Sequence, residues 1–164
     1  MSHDPKRLKV VLCALNKPRN YSLALRYLKV YALADQELAP HVRFAILETG
    51  VQQSTNRMLL RILFERPDVV RFSCNVWNIS RTLKIARRVK ALRPGIRIVM
   101  GGQEMTGSVT DYMALHPCID ILVDGEGEEV FRRVLRSLVF KGGEGLDEIP
   151  GIRFRAGETI VTNP

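Results

Sequence analysis

The chain of 164 residues carries 25 Lys and Arg against 17 Asp and Glu, a formal charge of +8, with 46% hydrophobic and 26% charged residues. That length suits one domain, and the composition supports an ordinary hydrophobic core that needs no disulfide or metal staple. No apolar run approaches the ~20 residues that span a bilayer. Residues 1–9 are polar and basic, without the apolar core of a signal peptide behind them, so a cytoplasmic protein is expected.

Residues 8–14 are a short apolar run suited to a buried parallel strand, ended by the turn-rich Asn16-Lys-Pro-Arg-Asn20. Leu23, Leu25, Tyr27, Leu28, Tyr31, Ala32 and Ala34 then recur at helical spacing, with Asn20 or Ser22 as the cap. Pro40 closes the connection. A second strand over 42–47 is broken by Gly50 and Ser54, and Met58, Leu59, Ile62 and Leu63 give an amphipathic helix stopped before Pro67. Val69, Val70 and Phe72 make a third strand, followed at once by Ser73, Cys74 and Asn75. Ile79, Leu83, Ala86, Val89 and Leu92 mark a third helix, closed by Pro94-Gly95. A strand over 96–100 ends at Gly101-Gly102. A short helix over 109–115 and a strand over 119–123 lead to Gly125-Glu-Gly-Glu-Glu129, which opens a helix carrying Val130, Phe131, Val134, Leu135 and Leu138. After Gly142-Gly-Glu-Gly145, read as a flexible break, 149–154 and 159–162 predict a hairpin. Five strands alternating with five helical patterns predict an α/β fold. Its core is a five-stranded parallel sheet in the flavodoxin-like (Rossmann-like) order with helices on both faces, followed by a C-terminal β-hairpin.

Ligands of such sheets bind outside the carboxyl ends of the strands, where the strand order reverses. That points to the loops 15–20, 73–78, 101–107 and 124–127. Ser73, directly after a buried strand, offers one donor and two acceptor positions to a ligand or to local backbone. Gly101-Gly102 permit positive φ and close approach of a bulky ligand, or serve an ordinary turn. Glu126, Glu128 and Glu129 complement a helix macrodipole and argue against a bound phosphate there. The order Gly-Glu-Gly-Glu also fails the phosphate-loop and dinucleotide spacings, so nucleotide hydrolysis and dinucleotide binding are rejected. Trp77, the single tryptophan, either walls a pocket or packs on the start of the third helix.

No catalytic constellation is present. Cys13, Cys74 and Cys118 lie far apart with no CxxC spacing and are expected to be reduced, mostly buried thiols. His3 sits in a tail, His41 and His116 beside prolines, and no zinc-protease or serine-hydrolase motif occurs. Asp68, Asp120 and Asp124 show no pairing of the kind a two-carboxylate mechanism needs. Leu15-Asn16 and Ser73 stand where a response-regulator receiver would need acids. Aromatics are 7% and do not interleave with the bases, so nucleic acid is not favoured as a partner. Arg81, Lys84, Arg87, Arg88 and Lys90 read as a solvated helix face, the alternative being a surface that docks a partner domain.

Ser73 after the third strand, Gly101-Gly102 after the fourth and Asp124-Gly-Glu-Gly-Glu128 before the last helix form one group of motifs. With the tail Ile149-Pro-Gly-Ile-Arg-Phe-Arg155 and Ile160-Val-Thr-Asn-Pro164, the set resembles the N-terminal cobalamin-binding domain of radical S-adenosylmethionine enzymes over nearly the whole chain. The resemblance implies a sheet-edge cleft that holds the corrin and buries its nucleotide tail. It implies cofactor contacts from Asn16, Asn20, Ser73, Cys74, Asn75, Trp77, Gly101, Gly102, Gln103, Gly125 and Glu126. It further implies a cobalamin module over 1–141, joined by a break and hairpin over 142–164 to a downstream radical domain of the same chain. That domain is the expected partner and would hold S-adenosylmethionine and an iron–sulfur cluster. The cluster's cysteine triad is absent, so the chain by itself would carry cobalamin without generating a radical. Many cobalamin domains have Asp-x-His-x-x-Gly after the first strand, with the His on cobalt. Asn16-Lys-Pro-Arg-Asn20 has no His, as in many radical-enzyme members, which implies a His-off cofactor. The alternative is a domain without cofactor that docks a partner or catalytic domain.

Overall fold

Apolar side chains on both sides of the central strands mean that both sheet faces must be covered. In the computed structural model, which describes residues 7–106 and 111–164, they are. The strands β1 (Leu8–Asn16), β2 (Val42–Gly50), β3 (Val69–Ser73), β4 (Arg97–Gly101), β5 (Ile121–Val123), β6 (Ile152–Ala156) and β7 (Thr159–Thr162) form one sheet in the order β2-β1-β3-β4-β5-β6-β7. The first five are parallel, in the predicted flavodoxin-like order. The predicted hairpin extends the sheet, β6 running antiparallel to β5 and β7 to β6.

Among the described residues five α-helices cover the faces: α1 (Leu23–Ala34), α2 (Thr55–Glu65), α3 (Ile79–Leu92), α4 (Tyr112–Leu115) and α5 (Gly127–Phe140). Val11, Cys13, Leu15, Val70, Phe72, Ile98 and Met100 pack with α2, α3 and α4 on one face. Val10, Leu12, Val69, Val99, Ile121 and Val123 pack with α1 and α5 on the other. Among the described residues no helix is long and apolar enough to cross a membrane.

Local chemistry sets the boundaries. Ser22 caps α1, its hydroxyl accepting from the Leu25 N–H at 3.4 Å, and Ser54 caps α2 through the Asn56 N–H at 3.2 Å. Arg66 turns left-handed (φ 46°) before Pro67 to stop α2. The helix expected over 109–115 is seen from Tyr112, its first two positions lying outside the described residues. β5 starts at Ile121 rather than 119. Asp120 is spent on side-chain bonds, accepting from the Ile98 N–H at 2.6 Å and from Lys90 Nζ at 2.7 Å. The glycine-rich break is a set of positive-φ turns at Gly142, Gly143 and Gly145. The Ser137 hydroxyl pins it by donating to the Glu144 carbonyl at 2.8 Å, and a 3₁₀ turn, Leu146–Glu148, follows.

Asp35, at the end of α1, ties α1 to α5. It accepts from Arg132 Nη1 at 2.7 Å, Arg136 Nη1 at 3.0 Å and the Leu38 N–H at 3.0 Å. Burial pushes its carboxyl up, but the Leu38 N–H and the Arg136 and Arg132 guanidiniums outweigh burial and hold it down to about 2, from an ordinary 3.8. A depressed native pKa gives stability that is present above the unfolded value and lost as pH falls through the folded one. The melting temperature is therefore expected to drop between about pH 4 and 2, and Asp35→Asn to flatten that drop. Wild-type and variant melting curves that run parallel across this window would refute the assignment.

Candidate ligand crevice

Three small residues stand side by side near the carboxyl ends of three neighbouring strands. Ala14 of β1 is in register with Ser73 of β3, and Ser73 with Gly101 of β4. Register places all three on one face of the sheet, under α1 and α5. Beside Ser73 on this face lies a crevice of about 620 Å³. Ala24 and Leu28 of α1 form one wall and Gly127 and Glu128 of α5 another. Arg71 and Ser73 of β3 lie at the floor, and Gly102, Gln103, Thr106, Gly125 and Glu126 close the rim. The rim loops are bonded together: the Thr106 hydroxyl accepts from the Gly125 N–H at 3.2 Å. The hairpin reaches the same place, the Gly151 carbonyl accepting from the Asp124 N–H at 2.9 Å.

Ser73, Gly102, Gln103, Gly125 and Glu126, among the residues expected to meet a ligand, thus line one space. Gly101 is buried beneath it: a Cβ there would lie 2.6 Å from Arg71 Nη2, and one on Gly102 (φ +123°) 2.5 Å from the Cys74 carbonyl oxygen. These glycines make room first for the protein's own guanidinium and backbone. Cys74 is buried behind the sheet in the α2–α3 core. Asn75 is half-buried, its N–H donating to Asn78 Oδ1 at 2.8 Å. Asn16 donates to Glu48 Oε1 at 2.9 Å, and Asn20 lines a separate depression between the loops after β1 and β2. Trp77 is 41% exposed at the edge of the strand ends, with Lys17 Nζ 4.5 Å from its ring centre.

Two residues that carry the site were not singled out by the sequence. Arg71 is 5% exposed. Its Nη1 donates to the Phe72 carbonyl at 2.8 Å, and Nε is buried with no partner. Burial lowers its pKa to about 10, opposed by Cys74 and Glu128, so the group stays cationic at neutral pH. The available signal was one arginine inside an otherwise apolar strand. Asn78, 1% exposed, brackets the point where the strand order reverses. Its Nδ2 donates to the Leu15 carbonyl at 3.0 Å and to the Ser73 carbonyl at 3.1 Å. Its position reads as a helix cap, but its side chain caps nothing.

Other reactive groups are placed elsewhere. The three cysteines are free and all lie in the α2–α3 core. Burial pushes the Cys74 thiol up to about 12 and Cys13 higher still, so they are neutral thiols rather than nucleophiles. His41 meets Phe140 edge-on at 5.4 Å and lines a second groove of about 590 Å³. That groove lies beside the start of β2, at the amino ends of the strands. His116 stacks on Tyr112 ahead of β5. Several basic residues of α3 bond to their own chain: Arg81 to the Gln53 carbonyl, Arg88 to Asn56, Lys90 to Asp120. Among the described residues no group of three or more His, Cys, Asp or Glu side chains could hold a metal ion.

The model of the B12 binding domain matches residues 17–135. The 2-(S-pantetheinyl)-carbapenam-3-carboxylate methyltransferase of Streptantibioticus cattleyicolor is 34% identical over 156 residues, 93% of this chain and 22% of that protein. The cobalamin-dependent radical SAM methyltransferase TokK of Streptomyces tokunonensis is 30% identical over 159 residues, 95% of this chain and 22% of that protein. This chain therefore spans about a fifth of the length of either relative. Among solved structures, the cobalamin-dependent S-adenosylmethionine radical enzyme OxsB, with aqua-cobalamin and S-adenosylmethionine bound, superposes with a TM-score of 0.76. It is 21% identical, covering 96% of this chain and 22% of that one, and it shares the fold. With its strand order, its crevice and a family match over most of its length in agreement, the chain belongs to the B12 binding domain family, akin to the cobalamin domains of radical SAM methyltransferases.

Proposed function

We propose that the chain holds cobalamin with the nucleotide tail in the α1–α5 crevice and the corrin over the strand ends. It would serve as the cofactor module of a longer radical SAM methyltransferase. The observation that carries this reading is the crevice between α1 and α5, floored by Ser73 and by the buried Arg71 guanidinium, whose Nε has no partner. An orphaned buried donor calls for a guest acceptor, and the crevice of about 620 Å³ gives that guest room. Bound there, cobalamin supplies cobalt chemistry for alkyl-group transfer. The chain's own part is to bind and orient it. Ser73 and Gln103 offer hydrogen bonds, and the exposed Val76 and Trp77 give apolar surface to the corrin. S-adenosylmethionine and the iron–sulfur cluster belong to the radical domain, the proposed partner. The His-off state is part of this reading: Asn16–Asn20 offers no imidazole, and among the described residues His41 and His116 lie away from the crevice.

Hydroxocobalamin mixed with the purified chain at roughly tens of micromolar is expected to survive desalting in near-stoichiometric amount, read from its visible absorbance. Ala24 is exposed on a helix, where tryptophan costs little. Ala24→Trp is expected to cut retention about tenfold with the melting temperature unchanged. Failure of the wild-type chain to retain the corrinoid would overturn the reading.

A further inference from the structure

We infer that Arg71 reads the base at the end of the cofactor's nucleotide tail, donating to a ring nitrogen, so that the crevice selects corrinoids whose lower base carries a nitrogen acceptor. The inference rests on the cofactor reading above and deepens it. Arg71 is the one charged group at the crevice floor. Nη1 is occupied by the Phe72 and Gly101 carbonyls at 2.8 and 3.4 Å, and Nε is buried and unpartnered. Nη2 lies where Gly101 and Gly127 approach: a Cβ on either would come to 2.6 or 3.2 Å from it. The guanidinium also lies 5.8 Å from the Phe131 ring centre. Two glycines and an aromatic ring therefore hold its place. Glu128 is the carboxylate whose charge it feels, and no ion pair joins them among the described residues. A buried cation with an unmet donor is costly until an acceptor arrives.

Chemistry narrows the acceptor. The tail of cobalamin offers a phosphodiester and, at its tip, a benzimidazole whose ring nitrogen is free once the base has left cobalt. The phosphodiester lies between that base and the corrin ring. With the corrin over the strand ends, a tail that enters the crevice carries its tip deepest, to the floor, and leaves its linkage nearer the mouth.

The test is a set of absorbance titrations with three corrinoids. Cobalamin has the base nitrogen and the phosphodiester, a p-cresolyl cobamide keeps the phosphodiester without the nitrogen, and cobinamide lacks both. Cobalamin is expected to bind roughly 10- to 100-fold more tightly than the cresolyl form, the range for a hydrogen bond from a buried cation. Arg71→Met should erase that preference, and Arg71→Lys should keep part of it. Cresolyl cobamide binding as well as cobalamin, with cobinamide weak, would assign Arg71 to the phosphate and overturn the inference. Equal binding of all three would make Arg71 a plug and overturn it too. Binding of none would remove the cofactor reading itself and this inference with it. The wild-type series decides the matter even if Arg71→Met fails to fold.

Discussion

Deleting residues 142–164 is expected to abolish cooperative folding. Leu146, Ile149, Ile152 and Phe154 are all buried, in the core shared with α1 and α5. Burying each side chain is worth about 1.5–3 kcal/mol, so losing four removes an amount comparable to the roughly 5–15 kcal/mol that holds a domain together. β5 has three residues and would be left as an unpaired edge. The rim would loosen as well, because the Asp124 N–H loses the Gly151 carbonyl. The truncated chain should show no sharp thermal transition and should bind a hydrophobic dye. A cooperative melt within a few degrees of the intact chain would refute the claim that hairpin and sheet share one core.

Asn78→Leu is expected to cost about 3 kcal/mol, because the Leu15 and Ser73 carbonyls and the Asn75 N–H lose a partner together. For a chain of this size that is a fall of roughly 6–12 °C in melting temperature. Corrinoid affinity should fall with it, since the bracket holds the ends of β1 and β3 on either side of the order reversal. A variant that melts within about 2 °C of wild type would show that the side chain brackets nothing.

Strand order was readable because each apolar run is short, is separated by a helical pattern, and obeys the handedness of crossovers. The glycine pair was readable as unusual backbone, but the reason for it was not. Gly102 makes way for the Cys74 backbone and Gly101 for the Arg71 guanidinium, and neither contact can be seen without the pairing of β3 with β4. Arg71 and Asn78 escaped for the same reason. An arginine in an apolar strand and an asparagine before a helix are locally ordinary. Only the register Ala14–Ser73–Gly101 shows that one floors a gap and the other spans it. Asn16 ends β1, and Asn20 and Trp77 lie in the loops after β1 and β3. Their side chains turn to Glu48, to a neighbouring depression and to Lys17.

All three sulfhydryls share the α2–α3 side of the molecule, while the crevice opens on the α1–α5 side. The sheet therefore stands between the sulfur atoms and whatever enters the crevice. The sulfurs are walled off and protonated, and the polar groups of the cavity are amide, hydroxyl, guanidinium and the carboxylates of Glu126 and Glu128.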